Sequence, residues 1–503
     1  MPSHSGMHFL GIDIGQEATR VVALDLEVAT LTDEASAPHV WIEGLPEGYR
    51  EQDPTVWISA VSHAVKELLG GLGDKRGDVV AIGITAPAGG MVVLDEGNRI
   101  VRPAKLGSDR SAQRQVEEIG RAFGGAPGLV ELTGNALSPG SLAAQALWLK
   151  QHEPYHYQRA ARLMVPQDFI GYWLTGEAGT SASAASTTGL FAIPKRAWSR
   201  ELVEFIDGRL AAMLPPGIAP GQPRGVLRKE LAREWGLSET VLVAAGSGRD
   251  AAAIFAAGAS EPGHVVADLS ADGALAAIEH NGFVDFRGEG SVGCDLAGNG
   301  FTRMPMNNVV AAQELIRRHY GWAAADEEKA LASTQPGADG LLFLPYLRGE
   351  SVPRMPEGTG VLHGITLDNF TPGNLARAAA EGVALGFGYA MSRLRDLGYE
   401  PSMVRLTRDA GPQMNQLLAD VFGVPVAAVS GGGGPLLGGL MQAAVTYFRQ
   451  HGEELSFSEI AGYIVRVDDA GRFQPNPGRH EFYQKLLARQ QYLVETLHTG
   501  GFL

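Results

Sequence analysis

The sequence predicts an α/β protein of two related domains, on three observations. The chain has 503 residues, too many for one ordinary hydrophobic core. Short apolar strands alternate with helical stretches along nearly all of it. A strand–turn–strand pattern over Phe9–Leu24 returns from Val265 onward.

The first half opens with a buried strand ending at Asp13, a tight turn around Gly15, and a return strand Arg20–Leu24. Val56–Leu69 has helical periodicity, and Val79–Ile84 and Met91–Leu94 read as short strands. Leu142–Lys150 and Pro166–Leu174 read as helices carrying Trp148, Tyr172 and Trp173. Val241–Ala245 is a strand closed by Gly246-Ser247-Gly248, with a helix of small residues, Asp250–Ala257, after it. The domain division is placed there, giving 1–246 and 247–503. In the second half Val265–Leu269 restarts the opening pattern, Val404–Thr407 is a strand and Met414–Phe422 a helix. Gly431–Gly434 precedes an apolar helix, Leu436–Phe448, so it reads either as a link or as a phosphate-facing loop. The 66 glycines have no period and gather at turns, as tight strand–helix junctions require.

Bulk properties exclude several classes. A formal charge of −15 argues against a nucleic-acid partner, which demands clustered Lys and Arg. It leaves a phosphorylated ligand open, since backbone N–H groups bind phosphate without net positive charge. No run of eighteen apolar residues occurs, so no membrane-spanning helix is expected. The N-terminus has no basic region leading into an apolar one, and a cytoplasmic location is expected. Cys294 is the single cysteine, which rules out an intrachain disulfide and a cysteine metal cluster. No His-Glu-x-x-His motif and no Gly-x-x-x-x-Gly-Lys-Ser/Thr loop is present.

The most informative stretch is Gly340–Pro353, an apolar run bounded by glycine and proline. After a turn-rich link come Gly360-Val361-Leu362-His363-Gly364-Ile365 and the helix start Asn374–Gly382. In this order and spacing they resemble the C-terminal domain of the FGGY carbohydrate kinases, and Pro166–Glu177 and Ala185–Phe191 resemble the N-terminal one. The resemblance runs from Phe9 to about Phe448 and is xylulokinase-like in overall pattern. It implies two actin-like, ribonuclease H-like α/β domains flanking a central cleft. It also implies ATP and Mg2+ as cofactors, a small sugar or polyol of ketopentose type as substrate, and leaves a homodimer open.

Phosphoryl transfer needs phosphate and metal held in line, a base for the attacking hydroxyl, and exclusion of water. By the resemblance, Asp13–Arg20 is the first phosphate loop. Asp13 lies there by the metal and phosphates, and Gly15, Gln16, Thr19 and Arg20 face the nucleotide. A solvated carboxylate at a strand end is the plain alternative for Asp13. Glu17 brings negative charge to the same loop. The family's base is an Asp at the head of the helix after the glycine-rich turn, and an ungapped count puts Arg249 there, with Asp250 one residue later. Asp250 is then either the base or a helix cap, worth about 1 kcal/mol. Arg249 stays protonated and cannot be a base; it pairs with an anionic substrate or locks Asp250. On the sugar side, Pro87-Ala88-Gly89-Gly90 and Gly107-Ser108-Asp109 stand where the family carries larger groups, and Gln145 replaces a lysine. Gly89 and Asp109 are the candidate sugar contacts; Asp109 otherwise reads as a surface residue beside Arg110. The second phosphate turn aligns with Ser270-Ala271-Asp272-Gly273, and the adenosine turn with Arg408–Gly411 and Gln416. This gives Asp272, Gly273, Gly411 and Gln416 as nucleotide contacts. Ser186 and Thr187 read as turn hydrogen-bonders, and His363 as a packed histidine. Two functions follow: an ATP-dependent sugar kinase with Asp250 as base, or a catalytically impaired relative that binds a ligand or partner in its cleft.

Overall fold

The computed structural model describes residues 6–271, 273–430 and 434–503, so the expectations for Asp272 and Gly431–Gly433 lie outside the described residues. Seven strands form a first sheet: β1 (His8–Ile14), β2 (Ala18–Asp25), β3 (Thr30–Pro38), β4 (Val79–Ala86), β5 (Pro223–Val226), β6 (Leu242–Ala244) and β7 (Ser247–Gly248). Their order is β5-β6-β4-β1-β2-β3, with β7 extending the pairing of β6 along β4. The second sheet contains β8 (Val265–Asp268), β9 (Ala274–Glu279), β10 (Ser291–Cys294), β11 (Gly300–Pro305), β12 (Val404–Leu406), β13 (Val426–Ser430) and β14 (Arg466–Phe473). Its order is β10-β11-β9-β8-β12-β13-β14. Each sheet begins with an antiparallel hairpin whose first strand runs parallel to a later one: β1 beside β4, and β8 beside β12. The repeat extends to side chains. Thr85 at the end of β4 donates to Asp13 of β1 at 2.9 Å, and Thr407 after β12 donates to Asp268 of β8 at 3.1 Å. The expected division at 246 falls in the turn between β6 and β7, one residue before the last pairing of the first sheet.

Four helices matter for the site: α1 (Pro54–Leu72), α2 (Arg249–Ala256), α3 (Pro372–Asp396) and α4 (Gly434–Gln450). β1 is buried on both faces, and its period of two assigns each residue to one of two cores. Leu10, Ile12 and Ile14 meet Trp57, Val61 and Leu68 of α1. Phe9 points the other way and joins Leu440 and Phe448 of α4 with Phe255 of α2. Gly11 and Gly83, paired in register, lie on that second face and clear a path for α4. A Cβ on Gly83 would sit 1.9 Å from the Gly439 carbonyl oxygen, so helix and sheet touch backbone to backbone. Next along the same face come Asp13 and Thr85. A helix from the C-terminal half is thereby part of the first domain's core.

The turn before α2 is bonded from several sides. Gln442 of α4 accepts from Gly246 N at 3.1 Å and donates to Gly246 O at 3.2 Å. Ser181 donates to the same carbonyl at 2.7 Å, and Ser183 accepts from Gly248 N at 3.1 Å. Arg224, fully buried beside Asp168, donates to Ala245 O at 2.6 Å. The head of α2 is therefore a fixed point. Where structure and expectation part, the causes are tertiary. His363 is exposed on the short hairpin Leu342–Pro345/Gly360–His363 rather than packed, because that hairpin stands apart from both sheets. No described helix is long and apolar enough to cross a membrane.

Two outcomes test this packing. Gly83→Ala, which forces α4 away, should lower unfolding stability by about 1–3 kcal/mol. Gly70→Ala, in open space on α1, should raise it by about 0.5–1 kcal/mol; equal effects of the two would refute the close contact. Glu381 of α3 is 2% exposed and accepts from Gly337 N at 2.8 Å and Tyr483 Oη at 2.9 Å. Burial pushes its carboxyl up from 4.5 to about 7. The folded value lies above the unfolded one, so this contribution is complete below about pH 4.5 and is lost as pH rises through about 7. Denaturant melts across that window should show Glu381→Gln losing less stability than the parent, by on the order of 2–3 kcal/mol.

Candidate active site

A cavity of about 360 Å³ opens between the two halves at the head of α2. Its walls include Ala88, Ser141 and Thr187 from the first domain and Glu289 and Phe301 from the second, with Arg249 and Asp250 between. Consecutive helical residues point about 100° apart, and these two diverge accordingly. Arg249 reaches back to β1, with Nη2 2.9 Å from Asp13 Oδ2. Asp250 is half exposed in the cavity, and Nε of Arg303 on β11 stands 3.8 Å from its Oδ2. The N-cap of α2 is Gly248, so Asp250 is the second residue of the helix rather than its cap. Arg249 locks Asp13, not Asp250 as expected. Asp13 is 2% exposed, and burial pushes its carboxyl up against the opposing pull of Arg249 and the Thr85 hydroxyl.

The far end of the cavity is closed by contacts between the domains. Asn135 pairs with the Val292 backbone through both amide atoms at 2.7 Å, and Ser186 accepts from Cys294 N at 3.1 Å. Ser141 and Thr187 each donate to a local carbonyl, at 2.7 and 2.8 Å. Their hydroxyl protons are thus committed, which leaves lone pairs as acceptors at the cavity wall.

Other expected residues are placed differently. Asp109 is 1% exposed, neither a surface residue nor a cavity one. Its carboxylate accepts from Arg50 N at 2.7 Å and Ser111 N at 3.0 Å, with Lys105 Nζ at 3.5 Å. Lys105, also enclosed, pairs with Glu51 at 2.8 Å and lies 3.8 Å over the Trp148 ring. Asp109 therefore serves this internal network and does not line the cavity. Gly89 is buried too, where a Cβ would meet the Gly140 carbonyl at 2.5 Å; its exposed neighbour Ala88 forms the wall. In the first loop, Gly15 closes the hairpin by donating to Ala18 O at 2.9 Å. Gln16 is exposed and accepts from Ser108 at 3.1 Å, joining the loop to the sugar-side turn. Glu17 is held by the Trp41 indole at 3.1 Å. Thr19 is fully buried with its hydroxyl 2.9 Å from His39, so it cannot face a nucleotide, and Arg20 pairs with Glu34 at 2.6 Å.

On the second sheet, Gly273 closes the hairpin after Asp268, and a Cβ there would lie 2.3 Å from the Asp268 carbonyl. Arg408 spans to this loop, donating twice to Leu269 O at 2.8 and 3.0 Å. At the expected adenosine turn, Gly411 (φ 90°) lies against the carboxylate of Glu328, which also accepts from Gln413 N at 2.9 Å. Gln416 donates to Asp420 at 2.9 Å and Gln474 O at 2.8 Å, so its amide is committed to its own domain rather than to a base. Among the described residues no group of three or more Asp, Glu, His or Cys could hold a metal. Asp13 fits Mg2+ only as one carboxylate of a shell completed by phosphate oxygens and water, the usual arrangement for that ion. Arg303, Asn135, Thr85 and Arg408 had no local sequence signal; the repeat of Asp13–Thr85 as Asp268–Thr407 was the one available clue.

Residues 8–256 match the FGGY family of carbohydrate kinases, N-terminal domain, and residues 309–447 match the C-terminal domain of that family. The chain is 27% identical over 496 residues to a xylulose kinase of Haemophilus influenzae, covering 97% of this chain and 99% of that protein. It is 29% identical to a xylulose kinase of Escherichia coli, covering 95% and 98%. A xylulose kinase structure from Rhodospirillum rubrum superposes with a TM-score of 0.86 at 25% identity, over 98% and 99% of the two chains. With both domain matches spanning most of its length and the cleft between them, the chain belongs to the FGGY family of carbohydrate kinases.

Proposed function

We propose that this chain is an ATP-dependent sugar kinase that transfers the γ-phosphoryl group to a hydroxyl of a small sugar or polyol. The acceptor is of ketopentose type, as for the relatives named xylulose kinase, and the work is done in the cytoplasm. The observation that carries the reading is that Asp250 lines the interdomain cavity while its neighbour Arg249, on the same wall, reaches back to Asp13 at the end of β1. Asp250 accepts the proton of the attacking hydroxyl as it forms the new bond to phosphorus. Ser141 and Thr187 accept hydrogen bonds from other hydroxyls of the acceptor and orient it, and the volume of about 360 Å³ holds such a molecule with room to spare. Asp13 would hold Mg2+, whose charge would offset that of the phosphates. The contacts of Asn135 and Ser186 across the domains exclude water from the far end. The alternative, a catalytically impaired relative that binds a ligand or partner in its cleft, rested on Arg249, Asp272, Gln16 and the altered adenosine turn; the presence of Asp250 on the cavity wall favours the kinase.

Thermal melts with Mg2+ and ATP test the reading first. ATP at a hundredfold over its Kd should stabilise the protein by about 2.7 kcal/mol, and no shift at millimolar ATP would sink it. Asp250→Asn should then lower kcat by about 10²–10⁴-fold while keeping the ATP-induced shift. Turnover equal to the parent on a panel of ketoses and polyols would remove Asp250 from the mechanism.

A further inference from the structure

Arg249 stands where the resemblance led one to expect an acid, and its surroundings give it a task. Both oxygens of Asp13 are engaged: Oδ1 accepts from Thr85 at 2.9 Å and Oδ2 from Arg249 at 2.9 Å. Asp13 is almost completely enclosed, whereas the Arg249 side chain keeps 37% of its surface exposed. Asp13 is the one partner of Arg249 among the described residues. A guanidinium carries five N–H donors in a rigid fork, so most of them remain free. They lie at the wall of the cavity that Asp250 also lines. The guanidinium thus occupies the interval between the strand end where phosphate and metal would sit and the carboxylate that would face the acceptor hydroxyl.

The charge balance points the same way. Asp13 and Asp250 put two acids beside Arg249, at a site meant for a polyanion. Arg303 is drawn to Asp250 at 3.8 Å, and Arg408 is tied to the Leu269 carbonyl. Arg249 is the cation placed to offset charge on a phosphoryl group moving toward Asp250, and arginine is suited to bidentate phosphate contact. The rigid turn beneath it, held by Gln442, Ser181 and Ser183, fixes where its side chain starts.

We propose that Arg249 binds the terminal phosphoryl group of the nucleotide, through the N–H groups that its contact with Asp13 leaves free. This rests on the kinase reading and gives the transferred group a holder on the cavity wall. The contact distinguishes ATP from ADP, because only ATP carries the group concerned.

The test is calorimetric titration of the full chain with MgATP and with MgADP, no sugar present, for the parent, Arg249→Gln and Arg249→Lys. Loss of a charge-assisted phosphate contact should weaken ATP about 10–100-fold in Arg249→Gln and leave ADP within about threefold of the parent. Arg249→Lys, which keeps the charge without the fork, should fall between and guards against a misfolded glutamine variant. If ATP and ADP weaken equally, stay unchanged, or both tighten, Arg249 is only the partner of Asp13 and the proposal is overturned. If the parent binds neither nucleotide at millimolar concentration, the kinase reading itself fails, a result distinct from any change between variants.

Discussion

The backbone contact of α4 with the first sheet at Gly83 and Gly439 is the constraint on which the remainder depends. It brings a helix from the second half within 1.9 Å of a position where any side chain would begin. Three consequences follow along that helix. Gly438 packs against the Ala252 backbone of α2, Gln442 takes both polar groups of Gly246, and Leu440 fills the space over Gly11. The turn that presents Arg249 and Asp250 is therefore gripped by both halves of the chain. Backbone approach of this kind gains dispersion contacts at no side-chain entropy cost, but only while no Cβ intervenes. The site inherits its rigidity from a packing detail some distance away in sequence.

On this rigid base the electrostatics alternate. Asp13 is paired with Arg249, Asp250 with Arg303, and Asp168 with Arg224 beneath the turn. These pairs differ in kind. Asp168 and Arg224 are almost fully enclosed, and burial lifts the Asp168 carboxyl to about 6 despite the guanidinium beside it. Such a pair must stay intact, because removing one partner strands the other charge away from water. Asp250 and Arg303 are more open, and at 3.8 Å their attraction is screened enough to yield to a ligand. Asp13 and Arg249 lie between these limits, with one partner enclosed and the other reaching the cavity. That asymmetry makes the arginine the member free to turn.

Much of the fold was legible because it rests on local chemistry. The strand ending at Asp13, the hairpin at Gly15, α1 and the helix after Gly248 each follow from periodicity and turn residues, and the structure differs mainly by a few terminal residues. Of the candidate site, the sequence located the turn that carries Asp250, which lines the cavity, and the strand end at Asp13, which Arg249 meets. The site was not legible where function depends on what a distant segment does. Asp109 was expected as a sugar contact or a surface acid, yet it is buried against the Arg50 amide and against Lys105, itself held by Glu51 and Trp148, and nothing near position 109 announces the distant ones. Thr19 follows a phosphate-type turn, yet period two along β2 turns it inward to His39. Arg303 comes from a strand with no motif and meets Asp250 only because β11 lies across the cleft from α2.

The internal repeat sharpens the contrast between the two carboxylates that end β1 and β8. Asp268 accepts from Ser270 N at 3.1 Å, Ser270 Oγ at 2.8 Å and Thr407 at 3.1 Å, all within its own loop and the neighbouring strand. It is an acceptor satisfied by neutral donors and needs no cation. Asp13 receives one neutral donor, Thr85, in the equivalent place, and its second oxygen would be left buried without a partner if Arg249 were absent. A carboxylate in that condition demands positive charge, whether from a guanidinium or from a metal. The same position in the fold has thus been made structural in one half and ionic in the other. Only the ionic one lies where the head of α2 can answer it.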